Sequence, residues 1–296
     1  MGIDFEIQHV SKNTVAVIDE NLASNAGAIL LDDCIVAVDV TMRPDTARTF
    51  RAMLEDNYHR PVKYVCVTHY HGDHVFGLTS VKDVTLFGAW PIAENIRRKM
   101  ISDWTPQALA AWKKEDPTVA AWADEVELII PPMLFHQRLD LINRDKIIEF
   151  YHVGGHTSCC VYGYYPDEKI LFAGDLIFSG QMPFAGDATC DPEQWMASLK
   201  TWLTWDIARV IPGHGPVAGM DEIKKHLEFF ELMKAATLDI VKAGKEPHDI
   251  EIPAVYEAGG MEAGLLERTK ERWHEYYSLW ARSNWRSTND NAKAAS

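Results

Sequence analysis

The sequence predicts an α/β protein with mixed sheets, and three observations predict it. Short apolar, β-branched runs such as Ala26-Gly27-Ala28-Ile29-Leu30-Leu31 and Val62-Lys63-Tyr64-Val65-Cys66-Val67 recur between Asn, Asp and Gly turns, as buried strands do. Stretches with helical spacing alternate with them and open on proline or an aspartate cap. Hydrophobic residues make up 47% of the 296, which is ample for a large core.

In chain order, strands are expected over residues 4–10, 14–18, 26–31 and 34–40. Met42 to Tyr58 reads as a helix with Pro44 near its start, ahead of a strand at 62–67. Further strands are expected at 84–87, 133–136, 138–143, 146–153, 160–165, 169–173 and 208–212. Asp191-Pro192-Glu193 opens a helix to about Trp205, with Asp191 as its cap. No Pro/Gly/Ser linker divides the chain, so residues 1–220 are expected to form one core with a helical insertion at about 90–125. Residues 221–296 are expected to be a helical extension packed on the same domain.

The net charge of −14 disfavours nucleic acid as a partner, because displacing counterions from phosphates takes clustered Lys and Arg. No apolar run of about 18 residues is present, so no membrane span is expected. Met1-Gly2-Ile3-Asp4-Phe5-Glu6 is acidic where a secretory signal would be basic. With five cysteines, an odd number, these features point to a cytoplasmic location and a small-molecule substrate.

The densest chemistry is Thr68-His69-Tyr70-His71-Gly72-Asp73-His74, directly after the apolar run 62–67. On an extended backbone His69, His71 and Asp73 point to one side and His74 to the other, so the segment can serve two ions. Three later segments repeat the theme of a ligand at a strand end or turn. They are Val153-Gly154-Gly155-His156-Thr157-Ser158, Ile170-Leu171-Phe172-Ala173-Gly174-Asp175, and Arg209-Val210-Ile211-Pro212-Gly213-His214. No Cys-x-x-Cys pair exists for a structural zinc knot, and no Gly-x-Ser-x-Gly elbow for a serine nucleophile.

In these motifs the chain resembles the metallo-β-lactamase superfamily: an H-x-H-x-D-H run, then a single His, Asp and His in that order. The match is His69, His71, Asp73 and His74, followed by His156, Asp175 and His214, and it takes in Asn25 through Asp39 as well. The stretches 174–180 and 183–188 look most like a glyoxalase II-related branch. The resemblance implies a four-layer αββα sandwich with added helices. It also implies a dinuclear site in which His69, His71 and His156 hold one ion, Asp73, His74 and His214 the other, and Asp175 bridges both. Two zinc ions are the expected cofactor, with manganese and iron admitted by the N/O ligand set. Metal-bound hydroxide would then attack a small ester, thioester or lactone-like carbonyl, with Asp73 as a further catalytic group that orients it or passes on its proton.

Around the motifs, residues 90–125 carry Trp90, Trp104, Trp112 and Trp122, and residues 220–283 end with Trp273, Tyr276, Tyr277 and Trp280. Aromatics at helical spacing pack a core, wall a cleft or face a second copy in a homodimer. Trp104, Trp112 and Phe178 are the expected substrate contacts. Phe178 stands where lactone-hydrolysing relatives carry a Tyr, so a lactonase would need another donor. β-Lactamases of the superfamily usually replace the bridging Asp, so a β-lactam hydrolase is the alternative reading. A redox protein or a nuclease on the same scaffold stands further off: the diiron members replace the second motif His, and the nucleases carry a basic arm.

Overall fold

A computed structural model describes residues 4–256 and 261–294, with side chains described as far as Ser283. Twelve strands form two sheets. The first sheet holds, in spatial order, β1 (Gln8–His9), β2 (Thr14–Val17), β3 (Ala26–Leu30), β4 (Ile35–Val38), β5 (Val62–Cys66), β6 (Thr85–Ala89) and β7 (Met133–Phe135). The second holds β8 (Arg138–Asn143), β9 (Lys146–His152), β10 (Val161–Tyr165), β11 (Ile170–Phe178) and β12 (Arg209–His214), with β12 at the far edge from β8. Hairpins set β2–β3–β4 and β8–β9–β10–β11 antiparallel, whereas β4–β5, β5–β6, β6–β7 and β11–β12 are parallel.

Strand alternation stacks the layers. In β10 and β11 the side chains of Val161, Tyr165, Ile170 and Phe172 join the core shared with the first sheet. Their neighbours Cys160, Tyr162, Leu171 and Ala173 face the opposite way, into a second core. Helix α1 (Pro44–Tyr58) covers the outer face of the first sheet with Ala47, Phe50 and Leu54, and Ile92 and Ile96 of α3 (Pro91–Met100) join the same core; between them lies the single turn α2 (Gly72–Val75). Pro44 starts α1 because its fixed φ and missing N–H suit a first turn, and His59 ends it in the left-handed region. Each fully buried Leu or Phe of this kind contributes about 1.5–3 kcal/mol.

The insertion continues as α4 (Pro106–Glu115) and the short α5 (Pro117–Ala120). On the outer face of the second sheet lie α6 (Pro192–Trp202), α7 (Met220–Lys242) and α8 (Ala263–Ala294). They bury Trp195, Trp202, Phe229, Phe230, Trp273 and Tyr277 completely. Asp191 caps α6, accepting from Gln194 N at 3.0 Å. The result is the αββα sandwich. Among the described residues no helix is long and apolar enough to cross a membrane, and all five cysteines are buried and free.

Two local expectations are corrected. The N-terminal strand, expected over 4–10, shrinks to Gln8–His9, both exposed at the sheet edge. The ligand run 69–74 is not extended throughout: His71 is the N-cap of α2 (φ −64°, ψ 152°) and the chain turns helical from Gly72. Asp73 and His74 therefore project from a helical turn, and the one-side, other-side pattern of an extended strand does not apply to them.

Candidate metal centre

One end of the sandwich gathers the seven motif residues. His69 and His71 follow β5, Asp73 and His74 lie in α2, His156 sits in the β9–β10 turn, Asp175 in β11 and His214 at the end of β12. They fall into two groups that share Asp175: His69, His71, His156 and Asp175, and Asp73, His74, Asp175 and His214. Within each group one ligand atom per residue lies within 4.8 Å of all the others. Asp175 was expected at a strand end but occupies the middle of a nine-residue strand, all of it buried. It reaches the centre because β11 slips register against β12 between Phe172 and Phe178, with Gly174 at φ 50°. The neighbouring strand makes room: a Cβ on Gly213 would stand 1.9 Å from Asp175 Oδ1.

Outer hydrogen bonds aim the imidazoles. His156 Nδ1 donates to the Phe184 carbonyl at 2.9 Å, and His71 Nε2 donates to Asp187 Oδ2 at 3.0 Å. His74 Nδ1 donates to Asp39 Oδ2 at 2.8 Å. Each bond fixes one ring nitrogen on an outer acceptor and turns the other toward the centre. His156 Nε2 and His71 Nδ1 then face each other at 3.0 Å across the centre. His69 Nε2, His74 Nε2 and Asp175 Oδ1 are buried without a well-formed hydrogen bond, the last two facing each other at 3.1 Å. Orphaned lone pairs at such a density are costly in a dry site unless a cation takes them up. This donor set of N and O atoms fits metal ions, and each half has the three protein ligands plus a shared carboxylate of an open site.

Electrostatics differ between the halves. Burial holds His69 well below the ordinary imidazole range and His156 at about 4. At His74 burial opposes the charge, but Asp175, Asp73 and Asp39 outweigh it and lift the ring well above its usual value. His214 is lifted to about 10, where Asp175 and Asp73 overcome burial. Burial likewise opposes ionisation of Asp175 and Asp73, and the neighbouring histidines outweigh it and hold both carboxyls well below the usual range. The cluster is built for charge, supplied by protons or by metal.

Two supporting residues were not singled out from the sequence. Asp39, at φ 55°, accepts from Thr68 N at 2.9 Å, Thr68 Oγ1 at 2.7 Å and His74. Asp187 accepts from Tyr70 OH, His71 Nε2 and Thr189 N and Oγ1. The only available signal was their place in the quoted stretches 25–39 and 183–188; a lone Asp has no spacing to betray it. Thr68 shares Asp39 with His74 and so helps to hold that ring. Thr157 N donates to Cys160 Sγ at 3.1 Å and closes the turn that carries His156. The two ring nitrogens of His152 face the carbonyls of His136 and Ser158, bracing that turn from outside.

The centre opens on a cavity of about 360 Å³ whose wall includes Trp104, Phe178, Phe184 and Leu265. Phe178 stacks on His214, ring centres 4.9 Å apart and planes 8° from parallel. Trp112 lines an adjoining groove with Trp104 and packs edge-on against the buried Trp122 at 5.7 Å. Trp90 lies apart, 57% exposed and stacked on His136. A second cleft of about 620 Å³ meets the centre at His214 from the side of Asp19, Asn21 and Gln181.

Behind Phe178, its N–H donates to His226 Nε2 at 3.0 Å, and the other ring nitrogen meets Tyr256 OH at 2.5 Å. Burial pulls the His226 pKa down against the pull of Glu222. An unfolded His takes up a proton near pH 6.5, whereas the folded one resists it, so His226 lowers stability as pH falls below about 6.5 toward its folded value. Urea midpoints at pH 7.5 and 5.5 should fall further for the wild type than for His226→Gln. Parallel changes would contradict this.

This architecture and donor pattern define a metal-centred αββα sandwich. The Metallo-beta-lactamase superfamily model matches residues 20–214, so the chain belongs to that superfamily of metal-dependent hydrolases. Over 223 residues it is 26% identical to the 2,4-dinitroanisole O-demethylase subunit alpha of Nocardioides sp. (strain JS1661), covering 73% of this chain and 60% of that one. Hydroxyacylglutathione hydrolase GloC of Haemophilus influenzae is 23% identical over 171 residues, 57% of this chain and 76% of that one. The fold is shared with the metallo-beta-lactamase from Pontibacter korlensis at a TM-score of 0.59 and 18% identity, over 77% of this chain and 99% of that one.

Proposed function

We propose that the protein is a hydrolase with two metal ions, acting on a small ester, thioester or lactone-like carbonyl compound with an apolar or aromatic part. The observation that carries this reading is the pair of donor groups sharing Asp175 and opening on an aromatic cavity. Zinc suits the donor set first, with manganese and iron as alternatives. Metal ions held by His69, His71 and His156 and by Asp73, His74 and His214, with Asp175 common to both sets, would bring the pKa of a bound water toward neutrality and polarise the carbonyl under attack.

The chain's own residues do the rest. Trp104, Phe178 and Leu265 bind the apolar part of the substrate and exclude water. Asp73 is half-buried on the cavity wall, turning Oδ2 toward His74 and His214, each at 3.3 Å. Facing the cavity beside the other motif residues, it is placed to orient the attacking water or pass its proton on toward the leaving group. Asp39 and Asp187 keep His74 and His71 oriented. Water as nucleophile agrees with the thiols: burial pushes Cys159 up to about 11 and Cys160 well above its usual value, so neither is a ready thiolate. A relative named for a hydroxyacylglutathione substrate and another named for an aromatic one support an acyl group and an aromatic wall.

The test is a panel of an aryl thioester, an aryl ester, a lactone, a phosphodiester, a penicillin and a carbapenem, run on enzyme loaded separately with zinc, manganese and iron. The three acyl compounds are expected to exceed the others in kcat/KM by at least about tenfold, or roughly 1.4 kcal/mol of barrier. Faster turnover of the lactams would transfer the reading to a β-lactam hydrolase.

A further inference from the structure

Part of the cavity wall comes from α8, outside the residues that match the family. This helix is docked on the loop that carries Phe184 and Asp187. Ala185 N donates to Thr269 Oγ1 at 3.3 Å, Arg272 donates twice to the Cys190 carbonyl at 2.8 and 3.1 Å, and Tyr276 OH donates to Asp191 Oδ1 at 2.8 Å. Gly186 lets the two backbones touch, since a Cβ there would stand 2.8 Å from Arg268 and Thr269 main-chain atoms. The docking holds Arg268 at the mouth of the cavity, its guanidinium 5.2 Å from the centre of the Phe184 ring. That ring lies 6.0 Å from His156 and 6.3 Å from His71, between the arginine and the metal ligands.

Charge accounting at the mouth singles Arg268 out. Lys99, also in the cavity wall, is bonded to Asp103, and the Asp187 carboxylate is taken by Tyr70, His71 and Thr189. Among the described residues no carboxylate forms a salt bridge with Arg268; Asp103, bonded to Lys99, feels the arginine only through space. A guanidinium without a bonded carboxylate at the rim of an aromatic pocket, in a chain that otherwise repels anions, is suited to recognise an anion.

Building on the hydrolase reading, we propose that Arg268 is an anion-binding subsite. The substrate is then a small carbonyl compound with a carboxylate or phosphate-type group at the end away from the scissile bond and an apolar or aryl part between. A cavity of about 360 Å³ sets the scale at a small molecule. The guanidinium fork takes either oxyanion in a bidentate fashion, so the test separates the two.

The metal-loaded enzyme is assayed with phenyl thioacetate and its ring 4-carboxylate and 4-phosphonate. For each substrate, the ratio of wild-type kcat/KM to that of Arg268→Met cancels intrinsic reactivity. The ratio is expected to be at least about tenfold larger for the anionic thioesters than for the neutral one, to lie in KM, and to shrink in about 0.5 M salt. Arg268→Lys should recover most of the loss, and the larger of the two anionic ratios identifies the preferred group. Equal ratios for all three would overturn the subsite and leave the hydrolase reading standing. If none of the three is cleaved, the fault lies with the hydrolase reading, and the subsite is judged by binding of the uncleaved amides, followed by tryptophan fluorescence. Weaker binding of 4-acetamidobenzoate, but not acetanilide, to Arg268→Met supports the subsite; identical binding overturns it.

Discussion

Alanine at Asp175 is expected to empty both halves of the centre and to reduce turnover far more than the about 10- to 100-fold typical of a residue that only supports a ligand. The carboxylate is the one group common to both donor sets. Its Oδ1 lies 3.1 Å from His74 Nε2 and its Oδ2 3.2 Å from His214 Nε2, 3.4 Å from His156 Nε2 and 3.6 Å from His69 Nε2. Without it, one group keeps only three imidazoles and the other two imidazoles and Asp73. The fold should survive, because Asp175 contributes no apolar packing and β11 keeps its ladder to β10. Elemental analysis after dialysis, with far-ultraviolet circular dichroism as the fold control, checks this. Two metal equivalents and near-native turnover in Asp175→Ala would remove the shared-ligand assignment.

Asp39→Asn tests the support beneath the second half. Three donors converge on this carboxylate: Thr68 N, Thr68 Oγ1 and His74 Nδ1. A carboxylate has acceptor capacity for all three, whereas an amide offers one oxygen and turns an NH2 toward the remaining donors. Either His74 or Thr68 loses its partner, and a buried group left so costs about 1–3 kcal/mol. Metal affinity is expected to fall by about 10- to 100-fold. The loss should be larger for the ion held by His74 than for the one held by His156, and competition with a graded chelator resolves the two. Equal weakening of both ions would mean that Asp39 acts on the fold as a whole rather than through His74.

Much of the architecture was legible because it rests on local chemistry. The run at 26–31 is apolar on both faces and the one at 62–67 is apolar but for the exposed Lys63, as buried strands of a two-sheet stack are, and Pro44 and the Asp191-Pro192 pair mark helix starts. The gathering of the seven motif residues was legible because the dense run 69–74 after a buried strand, joined by His156, Asp175 and His214 at other turns and strands, follows one ordered pattern. What was not legible depends on distant partners. The bend at Gly72 that gives Asp73 and His74 to the second donor group is a helical turn too short to leave a periodic pattern. The register slip that lifts Asp175 from the middle of β11 is decided by β12, some 35 residues on. Asp39 and Asp187 look like ordinary turn acids until Thr68, His74, Tyr70 and His71 are brought to them.

The seam between α8 and the 184–191 loop separates two kinds of change. Substitutions in the terminal helix at Leu265 or Arg268 alter what enters the cavity without disturbing a single ligand atom. Lineages that keep the catalytic framework intact could therefore acquire new diets by exchanging one peripheral segment.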